Sequence, residues 1–581
     1  MGKVVLNGNA TVGNTAALTG RVFYQDYNTF ATPWAETLRV LKDADGLLYT
    51  IGTGEFGDSG RGTITATNDT CWIIRRYLAN GQIDKSYGCD GVVRIRIPGY
   101  NFEEPTGQLD ANGKIIIGGQ IYSGIDGTRK LAVARVLTDG QLDGTFNPND
   151  TPGYLVIPLG DGGSYFSQTD LALQSDGKII LMDAHQREAG GVRFDFRLHR
   201  INTDGTPDLP YGGFNAGWNN WVYDLDQRSD DRPVQILIQS DDKVLIIGYT
   251  HLLNSSPNHY YWLLIRTTAN GLADPTWGGQ GFESNCAVLD FPAGLLAQAQ
   301  AAFQQSDGKI VVGGNANTDA SHAAFGIGRW NANGTLDASF GSSSGYTLVG
   351  TGSLSLGFES SGAMVALPSG GFLILGQTGD ATGSFINPTT KFIVAAYNSN
   401  GTVNTSVGTS GFARPVPQGD NGLDSVFYGG GHGVVVYDDG SVICGGHVNS
   451  DTRSVSSMVK LNADLTINTA WGDYSNATIP STPPTATTSA ASSITSTTAT
   501  LNGAVNPQGD VTDYQFEWGL DTAYGHRGPL PAVLVGSDSS SHAVSTNITG
   551  LTSGKTYHFR LIATKGSGVA VYTADATFVT P

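Results

Sequence analysis

The chain is poor in the residues that staple or ligate: 581 residues contain only 4 cysteines, Cys71, Cys89, Cys286 and Cys444. Thiols so scattered form neither a disulfide framework nor a zinc-ligand spacing. Only Cys71 and Cys89 are near enough in sequence to be weighed as a pair, and sequence separation does not decide whether their Cα atoms approach. Charged residues make up 14 % and sum to −18 at pH 7. That balance argues against nucleic acid or an anionic membrane surface, both of which call for clustered Lys and Arg. No run of 18 apolar residues occurs, and the opening MGKVVLNGNATVGN has no apolar core, so neither a membrane insertion nor a signal peptide is expected. Leu6 also stands where an acylation signal wants Ser or Thr. Walker loop, dinucleotide fingerprint, nucleophile elbow and HExxH are all missing.

What the chain has is glycine, 79 of them, and short β-branched runs set off by turn dipeptides. In the stretch 304–341, QQSDGKIVVGGNANTDASHAAFGIGRWNANGTLDASFG, Asp307-Gly308 reads as a type I′ hairpin turn. The KIVVGG that follows is almost continuously apolar, as in a strand covered on both faces. A polar segment then leads to a third strand and a second turn, Asn333-Gly334. The first turn recurs at Asp45-Gly46, Asn112-Gly113, Asp176-Gly177, Asp241-Asp242, Gly370-Gly371 and Asp439-Gly440. The second recurs at Asn80-Gly81, Asp139-Gly140, Asp204-Gly205, Asn270-Gly271, Asn400-Gly401 and, degraded, Asp464-Leu465.

Intervals of 63 to 69 residues between first turns, with three or four strands and no amphipathic helix, fit one propeller blade plus a generous loop. Strands LLYTIG, KIIIGG, KIILMD, KVLIIG, KIVVGG, FLILGQ and SVICGG should be buried, Ile179 and Val311 among them. Six of seven copies are followed by one more apolar strand, as at 92–97, 154–158 and 346–349; the seventh is not. The spare strand is ALTGRVFY at 17–24, which should pair with residues 455–472 and close a ring without exposed edges.

SDGKI, VVGG and the RWNANGTLDASFG tail resemble the delta-60 β-propeller repeat of large bacterial surface and secreted proteins, over about residues 20–475. The resemblance implies a fold and no activity. After it comes NATIPSTPPT, residues 476–485, with the composition of an exposed linker. Beyond the linker, segments 499–505, 513–518, 543–548, 556–564 and 569–578 alternate apolar and polar residues like an antiparallel sandwich. LTSGKTYHF at 551–559, with LNGAVNPQG and YQFEWGLDTAYG, is similar to fibronectin type III modules, which serve as spacers or adhesive units on extracellular enzymes, surface proteins and virion proteins. The expected fold class is therefore all-β: a seven-bladed β-propeller at 1–475 and an immunoglobulin-like (fibronectin type III) β-sandwich at 486–581.

Chemistry is harder to place. His185, His251, His259, His322 and His447 follow the buried strands at unequal offsets, so they need not converge as metal ligands do. Asp43 and Asp45, like Asp224, Asp226, Asp230 and Asp231, lack the spacing of a calcium loop. No cofactor or metal is expected, with calcium as the alternative. Tyr122, Tyr260, Tyr261 and Phe385, with His185, His251, His322 and His447, form the candidate ligand-binding set, since such rings can stack on sugars. The favoured reading is a non-catalytic surface, virion or appendage protein, extracellular, that binds a glycan or protein through its loops. The alternatives are a secreted glycan-active hydrolase or lyase with a spacer, whose carboxylates come from separate blades, and a purely structural decoration.

One further set is structural. Arg76, Arg135, Arg200, Arg266 and Arg329 precede the second-turn glycine by five residues, and Asp84, Asp143, Asp208, Asp274 and Asp337 follow it by three. Positions symmetric about a hairpin centre oppose one another, so each pair should form an ion pair. The sixth copy has Ala396 and Asn404 instead, the seventh Lys460 and Asn468.

Overall fold

The computed structural model describes residues 4–6, 10–12, 21–24, 39–55, 70–88, 91–97, 99–123, 128–158, 169–186, 194–209, 211–213, 221–223, 229–252, 259–278, 285–291, 297–317, 323–341, 345–349, 356–357, 363–378, 391–413, 424–426, 433–450, 453–468, 471, 483–508, 512–522, 524–536, 538–565 and 570–581. Among them the only helical element is the 3-10 turn Tyr211–Gly213, and no helix is long and apolar enough to cross a membrane. The protein is all-β.

Sheets with one plan follow each other along the chain. In the first, Arg39–Lys42, Leu48–Glu55, Thr70–Tyr77 and Val92–Ile95 pair antiparallel in chain order. The second runs Tyr100–Leu109, Ile115–Ser123, Arg129–Val136, Tyr154–Pro158; the third Thr169–Leu173, Ile179–Gln186, Phe194–Ile201, Trp221–Tyr223. The fourth is Ser229–Ile238, Val244–Leu252, His259–Thr267, Cys286–Leu289, and the fifth Ala297–Gln304, Ile310–Asn317, Ala323–Trp330, Tyr346–Val349. The sixth splits its first strand into Leu356–Gly357 and Ala363–Ala366 before Phe372–Thr378, Lys391–Tyr397 and Phe412–Ala413. The seventh joins Asp424–Val426 and Val434–Val436 to Val442–Ser450, then Arg453–Leu461, and takes its last strand from Arg21–Tyr24, with Arg21 opposite Val459.

The second strands are apolar because both their faces are covered: Ile179 is 1 % exposed and Val311 0 %. The larger core clusters of this region span neighbouring sheets, such as Ile180, Met182 and Phe196 of the third with Ile246 and Leu263 of the fourth.

The hairpin turns differ from the expected type. A type I′ turn needs positive φ at both central residues, yet only the glycine is left-handed, Gly308 at φ 82. Gly308 N donates to Gln305 O and Gln305 N to Lys309 O, at 2.9 and 2.8 Å. That is a three-residue loop, a type I turn ending in a left-handed bulge. Aspartate suits it because its carboxylate accepts from the backbone two residues on, as Asp307 does from Lys309 N. In the sixth sheet the left-handed residue is Gly370, φ 86, so the turn there is Ser369-Gly370, one residue earlier than the sequence suggests. Asp242 takes the same conformation without being glycine, φ 62. Asn and Asp tolerate it best among side-chain-bearing residues.

The C-terminal residues form two more sheets. One orders Thr485–Ser492, Thr498–Asn506 and His542–Thr549; the other orders His526–Gly536, Thr512–Gly519, Thr556–Lys565 and Ala570–Tyr572, with Ala576–Val579 also on Thr556–Lys565. Leu501, Phe516, Phe559 and Leu561 share their core. Two strands here escape the sequence pattern. Thr485–Ser492, TATTSAAS, carries no large apolar residue, and two glycines and two prolines interrupt the alternation of His526–Gly536. The single strand expected at 569–578 is two.

Candidate functional site

In each repeated sheet both hairpin turns lie at one end, since the first strand runs into the first turn and the third into the second. Call this the turn end. The starts of the first and third strands and the close of the second make the opposite, loop end. The ion-pair set occupies the turn end. Of the candidate ligand-binding residues, Tyr122, His185, His251, Tyr260, Tyr261 and His447 sit towards the loop end, so they are separated from the ion pairs by the length of a sheet.

At the turn end, Arg Nε to Asp Oδ2 distances are 2.8 Å for Arg76–Asp84 and Arg135–Asp143, 2.7 Å for Arg200–Asp208, and 2.9 Å for Arg266–Asp274 and Arg329–Asp337. Two further partners are not evident in the sequence. The lysine after the first turn reaches the same carboxylate in four sheets, as Lys114 does Asp143 at 2.7 Å and Lys243 does Asp274 at 3.3 Å. Each guanidinium also donates to a carbonyl of the next sheet: Arg76 to Thr138 O, Arg135 to Thr203 O, Arg200 to Ala269 O, Arg266 to Ala332 O and Arg329 to Ser399 O. These residues therefore clamp neighbouring sheets together. Burial alone would raise the Asp274 carboxyl, but Thr276, Arg266 and Lys243 hold it at about 2.

First strands of neighbouring sheets are tied by side chains, to one another and to backbone. Asp170 accepts from Arg39 and Thr106 through Oδ1, at 2.8 and 3.0 Å, and from Ile236 N through Oδ2 at 2.9 Å; Gln235 accepts from Ala302 N at 2.7 Å. Asp170 is 0 % exposed and receives bonds on both oxygens, which makes it a fastening between the first four sheets. In the third sheet Asp183 binds Arg197 and His199, all fully buried. Burial opposes ionisation of Asp183, yet Arg197 and His199 draw its carboxyl well below the usual range.

The loop end of the fourth sheet gathers three of the candidates. Register places Asp230, His251 and Tyr260 in one cross-strand row and Arg232, Tyr249 and Trp262 in the next. Alternation puts both rows on the same face. His251 stacks on Tyr260 with centroids 4.2 Å apart at 4°, Tyr249 lies 6.4 Å from Tyr260, and Arg232 holds Asp230 at 3.0 Å. Burial, with Asp230 opposing Arg232, lifts the Tyr249 hydroxyl to about 12, so the phenol remains a donor at neutral pH. Among the described residues His251 Nε2 is buried without a hydrogen-bond partner. The other face carries Asp231, 0 % exposed and bonded by Thr250 Oγ1 at 2.6 Å, with Tyr261 opposite Thr250. Tyr261 stacks on His259 at 4.5 Å, and His259 Nε2 lies 2.8 Å from Asp290.

The remaining candidates lie elsewhere. Tyr122 belongs to the second sheet, its ring 5.7 Å from the Arg129 guanidinium. His185 and His447 lie in strands of the third and seventh sheets. His322 and Phe385 fall outside the described residues, as do Asp224, Asp226 and Cys89. Cys71 is buried, its thiol 3.7 Å from Gly54 O. Asp43 caps its own turn, accepting from Asp45 N and Leu47 N. Among the described residues no three His, Cys, Asp or Glu side chains converge as a metal site would require.

Two stretches, 111–146 and 305–340, match the family model described as a domain of unknown function (DUF5122) beta-propeller. The chain is a propeller-repeat protein. No curated protein matches it. Among solved structures it resembles a mutant of the NanB sialidase from Streptococcus pneumoniae, at 10 % identity and TM-score 0.37 over 77 % of this chain and 71 % of that one. It also resembles the alpha-L-arabinofuranosidase Arb93A from Fusarium graminearum, with an iminosugar inhibitor (10 %, TM-score 0.35, 62 % and 92 %), and an endo-arabinase from Bacteroides thetaiotaomicron (10 %, TM-score 0.27, 56 % and 96 %). Likenesses this distant transfer no residue and no mechanism. Their names are nonetheless those of glycoside hydrolases, and the expectation of a non-catalytic surface, virion or appendage protein is corrected on that finding.

Proposed function

We propose that this protein is a glycan-active enzyme working at the loop end of the fourth sheet. The observation that carries the reading is the row Asp230, His251, Tyr260: a carboxylate, an imidazole with an unpartnered nitrogen and an aromatic stack, side by side on one face. Stacked rings suit the apolar face of a sugar, and His251 Nε2 would take a hydroxyl in place of the partner it lacks. Asp230, paired with Arg232 at 3.0 Å, suits the nucleophile or base of glycoside cleavage rather than its acid. Asp231 follows it on an extended strand and points to the other face, so the two carboxylates lie on opposite faces of the sheet's first strand.

The architecture around this site is, on the same reading, a seven-bladed ring of delta-60 repeats over 1–475 followed by a fibronectin type III-like sandwich. Two contacts support closure: Arg21–Tyr24 completes the seventh sheet, and Trp471 Nε1 donates to Ala79 O of the first at 3.0 Å. The sandwich is supported by Thr552 N, which donates to Tyr557 Oη at 2.9 Å as a tyrosine corner requires.

Reducing-sugar release from a panel of neutral and acidic polysaccharides tests the function. Release should be found, with kcat lowered about 100-fold or more in Asp230→Asn and KM raised in Tyr260→Ala. No release from any polysaccharide, or an unimpaired Asp230→Asn, would overturn it.

A further inference from the structure

The seam between the sixth and seventh sheets is built differently from the five before it. In those five, an aromatic residue three positions after the clamp aspartate, Tyr87, Phe146, Tyr211, Trp277 or Phe340, lies under the guanidinium at 4.5, 4.9, 4.5, 5.4 and 4.5 Å. From the second sheet on, that ring packs against the second-turn glycine of the next sheet. A Cβ added at Gly205, Gly271, Gly334 or Gly401 would meet Phe146, Tyr211, Trp277 or Phe340 at 2.9, 2.6, 2.8 and 2.6 Å. Arginine, aspartate, aromatic and glycine are thus one interlocking unit.

All four members change together at the sixth seam. Ala396 replaces the arginine, Asn404 the aspartate and Val407 the aromatic, while Leu465 replaces the facing glycine and keeps its left-handed backbone, φ 67. Val407 and Leu465 meet in one apolar cluster, a large residue now filling from the far side what the ring filled from the near side. The backbone link persists, Gly408 N to Asp464 O at 2.9 Å, matching Gly341 N to Asn400 O at 2.8 Å in the preceding seam. Asn404 also still caps Ser406, as Asp337 caps Ser339. What has gone is the charged clamp that reaches across.

We propose that this seam is the point where the ring of sheets opens, the seventh sheet with Arg21–Tyr24 undocking from the sixth as a unit ahead of the others. The proposal rests on the closed-ring reading. A leucine in the left-handed region carries backbone strain that glycine does not, and charge-assisted hydrogen bonds outweigh the neutral contact that replaces them. Only the second difference acts across the seam, since the Leu465 turn is closed within its own hairpin, and it favours separation here because local opening follows the least stabilised contacts.

Hydrogen exchange by mass spectrometry on the full chain tests this. Peptides covering 394–413 and 453–467 should exchange at least 10-fold faster than the equivalent peptides 259–278 and 323–341. Restoring the clamp with A396R, N404D, V407F and L465G should slow them at least 10-fold and leave the fourth and fifth sheets unchanged. Should that variant not fold, the converse variant R266A, D274N, W277V and G334L should bring fast exchange to the seam of the fourth and fifth sheets. Equal exchange at all seams in the unaltered chain, or no transfer with the converse variant, would overturn the proposal. If instead the ring is not closed, Trp471→Ala would leave exchange in 70–88 unaltered, and that result separates failure of the closed-ring reading from failure of this one.

Discussion

Asp274 gives a measurable handle on what the turn-end clamp contributes. Its side chain is 3 % exposed and accepts from Arg266 Nε at 2.9 Å, from Lys243 at 3.3 Å, and from Thr276 N and Oγ1 at 3.0 and 2.6 Å. Asp274→Ala would leave Arg266, 9 % exposed at its side chain, without its counter-charge. Breaking one half of a buried pair costs about 3 to 5 kcal/mol. Removing Arg266 as well takes the uncompensated charge away, so Arg266→Ala with Asp274→Ala should cost less than the two singles added, by about 2 kcal/mol. The pH dependence has a definite sign. A carboxyl held at about 2 in the folded chain, against an ordinary value near 4, contributes about 2 to 3 kcal/mol. That contribution is complete above about pH 4 and is lost as the pH falls towards about 2. Urea unfolding of the four chains of the cycle at pH 7 and again near pH 3 reads both effects. Single substitutions that add within about 0.5 kcal/mol, or an Asp274→Ala chain with the same acid limb as the unaltered one, would refute the clamp.

Glycine substitutions should separate strain from collision: Gly46→Ala, φ 81 with nothing within 4 Å, should cost about 1 to 2 kcal/mol, and Gly271→Ala, φ 79 with a ring at 2.6 Å, distinctly more in the same denaturation assay. Asp183→Asn strands the fully buried Arg197 and should destabilise by about 3 to 5 kcal/mol. Tyr557→Phe removes the bond from Thr552 N and should lower the urea midpoint by the equivalent of about 1 kcal/mol.

Much of this architecture is legible in the sequence because its demands are local. A left-handed residue at each turn calls for glycine, Asn or Asp wherever it falls, so seven turns write a period into the chain without any reference to neighbouring sheets. The clamp pairs are legible for the same reason, since Arg266 and Asp274 are equidistant from one hairpin centre. The second arm of Arg266, reaching Ala332 O 66 residues on, depends on how one sheet sits against the next, and no spacing within a repeat encodes it.

At the loop end, contact is decided by strand register as well as by distance along the chain. His251 and His259 stand at different offsets from their turn, which argues against convergence. Antiparallel register agrees: it brings His251 opposite Tyr260, and leaves His259 to stack on Tyr261 on the other face. Offsets measure position along a strand; contact is decided across the ladder. Asp230 stands among acidic neighbours and raises the question of calcium only when acids are counted and the base that follows them is not. Arg232, two residues on and therefore on the same face, is what gives Asp230 its partner. The informative signal is the pair of alternating positions, Asp230 with Arg232 on one face and Asp231 with Thr250 on the other. It becomes visible only once strand register has sorted consecutive residues into two faces.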